Sequence, residues 1–284
     1  MRAAAPRGMM ALMVRDLILI SLLASAAVFG QGKPGDLGFT DTPILPGLPW
    51  HVHDSGRPHP KVVRPGQRPG APPSDAVVLF DGKDLSKWEN IGKGDDKGKM
   101  VPAQWRVGEG YFEVTKGAGE LRSKEKFGDC QIHIEWSSPE VVQGTSQGRG
   151  NSGVLIMSRY EIQVLDAFEN QTYADGQAGA IYGQWPPLAN PALKPGEWNT
   201  YDILFEAPKF EGEKLVRPAY VTVIYNGVMV HHHKEMMGPM VYRQVARYAP
   251  HEAEAPIGLQ DHGNPVRYRN VWVRRPAKYD EAKK

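Results

Sequence analysis

The chain of 284 residues has a single cysteine, Cys130, which excludes an intrachain disulfide and any cysteine-built zinc site. Cys130 sits in a strand-like run and reads as a buried, inert thiol. Helical signal is also lacking. No stretch of ten or more residues keeps a convincing 3.6-residue apolar period, which excludes a fold built on long helices. Charge is not concentrated either: the net charge is +2 and the basic residues never form a dense patch, so nucleic acid is excluded as a partner. After the first 30 residues, no apolar run is long enough to span a bilayer.

Turn formers are present in excess. Glycine (31) and proline (24) favour many turns between short strands. The apolar share, 41% against 23% charged, is sufficient for a packed core. Residues 1–30 read as a signal peptide: Arg2, Arg7 and Arg15 precede an apolar run from Leu17 to Phe29 that ends among small residues. Export to the periplasm or the medium is therefore expected, and no cysteine follows the run to carry a lipid anchor. Residues 31–75 form a segment rich in proline and glycine, expected to be an extended linker or a tail draped over the domain, whose removal would leave thermal stability nearly unchanged. His51, His53 and His59 are read as solvated there. The folded domain is expected over 76–276, with a charged tail at 277–284.

Within the domain, strand candidates recur at short intervals. They include Val77–Phe80, Gln104–Val107, Tyr111–Val114, Gln131–Trp136, Gly153–Leu165, Asn199–Glu206, Tyr220–Tyr225, Val228–His233, Ile257–Gln260 and Tyr268–Arg274. Asn226-Gly227 supplies the positive φ angles of a two-residue hairpin turn. Such a pattern predicts an all-β fold, a two-sheet antiparallel sandwich of the jelly-roll kind. The stretch from Arg149 to Asp166, R-G-N-S-G-V-L-I-M-S-R-Y-E-I-Q-V-L-D, is its most informative segment. Side chains alternate along a strand, so Glu161 and Gln163 share one face while Tyr160, Ile162 and Val164 share the other. Asp166 falls on the face opposite Glu161 unless a bulge near Val164-Leu165 reverses it.

Several blocks of the chain carry a resemblance. L-F-D-G-K-D-L-S-K-W from Leu79, N-S-G-V from Asn151, Y-E-I-Q-V-L-D from Tyr160, K-P-G-E-W-N-T-Y-D-I from Lys194, N-G-V from Asn226 and L-Q-D-H-G-N-P-V-R-Y-R-N-V-W-V from Leu259 occur in order. Over Ala76 to Arg274 the sequence resembles the 3-keto-disaccharide hydrolase domain family, which is similar in fold to concanavalin-type lectins and glucanases. The resemblance implies an exported protein acting on glycosides oxidised at C3. A ketone at C3 acidifies the C2 proton, so a base can remove it and expel the glycosidic oxygen from C1, after which water adds back. That chemistry needs a base, an acid or electrophile for the leaving oxygen, and donors for the enolate.

Glu161 is the expected base and His262 the acid or electrophile, with Asp166 as a further catalytic or orienting carboxylate. Asn151, Gln163, Gln260 and Arg267 are expected to hold hydroxyls and the enolate oxygen. His133 and Glu135 share a strand face and are candidates for the sugar-binding strip, although such alternation also fits a solvated face. Trp185, in a loop, could stack on a pyranose. His231, His232 and His233 are read as surface rather than metal ligands. No cofactor is evident, and the site oxygens with His262 could hold a divalent cation. Two other functions remain open. Glu161-x-Gln163-x-x-Asp166 parallels the Glu-x-Asp-x-x-Glu pattern of retaining glucanases, which need two carboxyls ~5 Å apart. A carbohydrate-binding module without catalysis would use the polar strip and aromatic platform alone.

Overall fold

The computed structural model describes residues 37–92 and 94–280. The expected signal peptide, residues 1–30, lies outside the described residues. The chain divides between His59 and Pro60 into two compact units. In the first, over residues 37–59, strand pairing is limited to single bridges, Phe39 with Asp54 and Ile44 with His51. The Asp54 carboxylate accepts from the backbone N–H groups of His51 at 3.0 Å and Gly56 at 2.8 Å, so short polar bonds take the place of an apolar core.

The second unit is an all-β sandwich. Its strands are β1 (Val77–Phe80), β2 (Trp88–Ile91), β3 (Met100–Pro102), β4 (Arg106–Val107), β5 (Phe112–Glu113), β6 (Leu121–Phe127), β7 (Cys130–Ser137) and β8 (Ser152–Ile156), then β9 (Tyr160–Val164), β10 (Asn199–Glu206), β11 (Lys209–Glu211), β12 (Lys214–Arg217), β13 (Tyr220–Tyr225), β14 (Val228–Glu235), β15 (Ala255–Leu259) and β16 (Arg267–Arg274). One antiparallel sheet has the order β14-β13-β10-β7-β16-β5-β4, with β1 also paired to β16. The other runs β3-β2-β6-β15-β8-β9, and β11 pairs with β12 alone. The expected two-sheet antiparallel sandwich is what the chain forms.

Alternation explains the core. On β10, Tyr201, Ile203 and Phe205 are buried while Leu204 between them is exposed. These side chains meet Val154, Ile162 and Val164 of the second sheet, each fully buried and each worth roughly 1.5–3 kcal/mol of transfer free energy. Two buried hydroxyls tie the layers together: Tyr201 donates to the Gln163 carbonyl at 2.7 Å, and Tyr268 donates to Ser152 Oγ at 2.6 Å. At the β13–β14 turn, Asn226 and Gly227 have φ of 48° and 78°, as the hairpin requires.

The structure places Cys130 in the core, where burial pushes its thiol up to about 12. Residues 60–75 belong to the sandwich unit and are fixed to it. Trp272 Nε1 and Asn270 Nδ2 donate to the Gly70 carbonyl at 2.9 and 2.8 Å, and Arg274 pairs with Asp75 at 2.9 Å. Removing this part would expose the groups it covers, which runs against the expectation of unchanged stability. Strand β6, L-R-S-K-E-K-F, gave no strand signal because its solvent face is charged; only Leu121, Ser123 and Phe127 are buried.

Candidate active site

The strand run expected over Gly153–Leu165, long enough for one strand or two abutting ones, is a hairpin, β8 and β9, turning through Met157 and Ser158 at φ 54° and 53°. Its register is regular, with Gly153 opposite Gln163 and Leu155 opposite Glu161, so no bulge intervenes before Val164. Ile162 and Val164 point into the core, as alternation demands, yet Glu161 and Gln163 on the opposite face are also buried, at 2% and 1% exposure. Loops cover them. A cleft of about 550 Å³ stands over this face, with Gln147 and Asn151, Tyr173 and Tyr182, Met240 and Tyr242, and Gln260 and His262 around it.

Glu161 is the only carboxylate among the lining residues, and no lysine or arginine accompanies it. Gly153 gives it room: a Cβ there would stand 2.4 Å from Glu161 Oε1. Glu161 Oε2 is buried without a hydrogen-bond partner. Burial, and secondarily the negative charge of Glu120, raise the Glu161 carboxyl to about 8. Glu120 itself is paired with Arg122 at 2.7 Å. The Gln163 amide has two settings. In one it donates to Gln147 Oε1 at 2.9 Å and faces Asn151 Oδ1 at 3.4 Å; turned over, it donates to the Ser152 carbonyl and to Glu161 Oε1, each at 3.0 Å. It can thus accept from a protonated Glu161 or donate to an ionised one.

The wall loops are themselves tied down. Asn151 Nδ2 donates to the Gln147 carbonyl at 2.7 Å, and Gln147 Nε2 donates to the Gly176 carbonyl at 2.9 Å. Asp261 accepts from the N–H groups of Gly119 and Gly263, at 2.9 and 3.0 Å, which sets His262 exposed at the cleft. Tyr182 Oη lies 2.8 Å from Tyr173 Oη. Burial, that hydrogen bond and the nearby Glu161 all raise the Tyr182 phenol above its ordinary range.

Of the expected residues, the fold brings Asn151, Glu161, Gln163, Gln260 and His262 to one cleft and sends the others elsewhere. Asp166 lies beyond the end of β9, lines a neighbouring cavity and is held by Arg149 at 2.6 Å. Arg267 lines that same cavity and pairs with Glu113 at 2.8 Å. His133 and Glu135 lie on β7 in the other sheet, under residues 65–73, and line a different cavity. His133 bonds Asp202 at 2.7 Å and stacks on Trp272; burial pulls its pKa down, but the bonds to Asp202 and Glu135 outweigh it and raise the ring to about 9. Burial likewise opposes the bonds of Glu135 to His133, Asn270 and Arg269, which hold it near 2. These are structural ion pairs. Trp185 packs on the core with Lys234 Nζ 3.3 Å from its ring centre, and it does not line the cleft. His231 is buried against the Gly179 carbonyl rather than on the surface, and burial lowers it to about 4.

Gln147, Tyr173, Tyr182 and Tyr242 were not anticipated. Their one sequence signal is aromatic and amide groups in turn-rich segments with no core periodicity to account for them. Among the described residues, no group of three or more histidine, cysteine, aspartate or glutamate side chains gathers to hold a metal. Chemically, the cleft offers one buried acid or base, several amides and hydroxyls, and an imidazole at the edge.

Known proteins are similar to this chain in sequence and fold. A 3-keto-disaccharide hydrolase of Bacteroides thetaiotaomicron is 23% identical over 232 residues, covering 70% of this chain and 77% of the relative. The structure of a candidate glycosyl hydrolase of Parabacteroides distasonis is 42% identical, with a TM-score of 0.73, over 82% of this chain and 100% of that one. Another from the same organism, 18% identical with a TM-score of 0.53 over 72% of this chain and 94% of that one, shares the fold. The family model described as the 3-keto-alpha-glucoside-1,2-lyase-like domain matches residues 75–274, and with the fold and cleft in place the chain belongs to that family.

Proposed function

We propose that this protein cleaves the glycosidic bond of 3-keto-glycosides by elimination and hydration, with Glu161 as the base. The observation that carries the reading is a lone buried carboxyl, with one oxygen free of protein partners, beneath a cleft of amides and hydroxyls. Direct displacement by a retaining glycosidase needs a second carboxyl ~5 Å away. Asp166 is turned to another cavity and neutralised by Arg149, and Glu120 is held by Arg122 outside the lining. A ketone supplies the activation that a second carboxyl would otherwise provide.

Ionised Glu161 takes the C2 proton, and the electron pair delocalises onto the C3 oxygen. Gln163, Asn151 and Gln260 are the nearby amides able to donate to that enolate or to neighbouring hydroxyls. The enolate then collapses, the C1–O bond breaks, and the leaving oxygen takes a proton from His262. Water adds across C1 and C2, returning a proton to C2, so the net change is hydrolysis. A carboxyl raised to about 8 is a stronger base once ionised than one of ordinary acidity, which suits a carbon acid. The lining holds no fixed positive side chain, which suits a neutral sugar. The amino-terminal pattern supports export of the protein.

The test is a side-by-side assay of matched glycosides, unmodified and oxidised at C3. Cleavage of the keto form alone is expected. Comparable cleavage of both would favour the glucanase-like reading, and binding without cleavage the binding-module reading.

A further inference from the structure

Two cavities adjoin the Glu161 cleft. One, of about 480 Å³, meets it at Gly148 and is dominated by the ion pairs Arg149–Asp166 and Arg267–Glu113. The other, of about 460 Å³, shares three lining residues with the cleft, Tyr173, Tyr182 and Tyr242, and continues past Asp175, Val241, Arg243, Gln244 and Val245. The two spaces therefore join across a wall of tyrosine rings.

Tyr242 and Val245 are 64% and 77% exposed. The core does not use them, and their apolar surface is covered only when something lies on this loop. The loop is not frayed. Met240 N–H donates to the Arg159 carbonyl at 2.7 Å, Met237 N–H to Gln184 Oε1 at 2.6 Å, and Tyr248 Oη to the Met236 carbonyl at 2.7 Å, so the exposed side chains are presented from a fixed base. The Tyr173 and Tyr182 hydroxyls meet at 2.8 Å, which occupies their polar ends with each other, and the two rings stand edge to face at 65° in the shared wall.

We propose that this tyrosine-lined cavity is the leaving-group subsite of the Glu161 cleft and that it takes an aryl aglycone. The inference rests on the glycoside reading of the cleft. A flat aromatic group can stack on tyrosine at ring distances of ~4.5–7 Å and asks for no hydroxyl partners. Asp175, Arg243 and Gln244 also line this cavity and can bond hydroxyls, so it is the stacking surface of the three tyrosines beside Val241 and Val245 that favours an aryl group over a second hexose. The ion-paired cavity across Gly148 offers no comparable stacking surface.

Calorimetric binding of phenyl and methyl glucosides, both anomers, and of a glucosyl-glucose disaccharide to the full chain tests this. The phenyl glucoside of the preferred anomer should bind about tenfold tighter than its methyl counterpart. Tyr242→Ala and Val245→Asp, both at exposed positions, should each bring that ratio to within about twofold of one. A ratio near one in the unchanged protein, a ratio untouched by both substitutions, or a gain for the disaccharide and none for the phenyl glucoside would overturn the proposal. Binding is read without turnover, so failure here leaves the elimination reading standing. An intact phenyl preference with no cleavage of any keto-glycoside would instead support the subsite and sink the elimination reading.

Discussion

Glu161 should make the protein less stable as pH rises, and Glu161→Gln should remove that dependence. In the unfolded chain the carboxyl loses its proton near the ordinary value of 4.5, whereas burial keeps it on in the folded protein to about 8. Below pH 4.5 both states hold the proton and the group contributes no difference. Between 4.5 and 8 only the folded state holds it, so stability falls by about 1.4 kcal/mol per pH unit and levels off above 8. Across the window the loss is about 5 kcal/mol at most, since part of the cleft can hydrate the anion. Urea unfolding of both proteins between pH 5 and 9 measures the effect, and taking their difference cancels every other titrating group. The variant should gain on the parent steadily up to pH 8. Parallel curves would show that Glu161 titrates normally and would remove the basis for its role as a tuned base. The same proton should appear in catalysis, with kcat/KM rising through about pH 8 as free Glu161 ionises.

Three further outcomes concern the outer face of the other sheet. His133→Ala removes the partner of Asp202, which is half-exposed, and one partner of Glu135, which keeps Arg269 and Asn270, so it should lower stability by about 1–3 kcal/mol in denaturant melts. Because the folded His133 is raised to about 9, its stabilisation is full below its ordinary 6.5 and is lost as pH climbs from 6.5 through 9; an unchanged contribution at pH 10 would contradict this. Deleting residues 60–75 removes the Gly70 carbonyl from Trp272 and Asn270 and Asp75 from Arg274, and should lower Tm by several degrees in calorimetry. A deletion that melts with the parent would show that these bonds contribute nothing net.

Strand periodicity made the sandwich legible: Asn199–Glu206 and Tyr220–Tyr225 have the limits their alternation suggests, and Asn226-Gly227 turns as its residue types require. Glu161 and Gln163 were placed on one face by the same rule. Their burial was not legible, because it comes from loops contributed by residues far away in sequence, around 145–151, 173–182 and 240–242. Alternation also assigned His133 and Glu135 to a polar strip without saying which sheet would carry it. Strand order decides that, and β7 lies between β10 and β16, in the sheet opposite β9. Asp166 escaped because its strand stops two residues earlier, after which period-two reasoning no longer applies. Arg149, at the start of the same stretch, then pairs with it across the base of the loop.

The most direct test of the central claim is to run the cleavage of a 3-keto-glycoside in heavy water and locate the isotope in the released sugar. Removal of the C2 proton by Glu161 followed by hydration predicts deuterium at C2 of the keto sugar, with Glu161→Gln lowering turnover by ~100-fold or more while glycoside binding persists. Cleavage that leaves C2 free of deuterium, or an unoxidised glycoside cleaved as fast as its keto form, would contradict elimination as the reaction of this cleft.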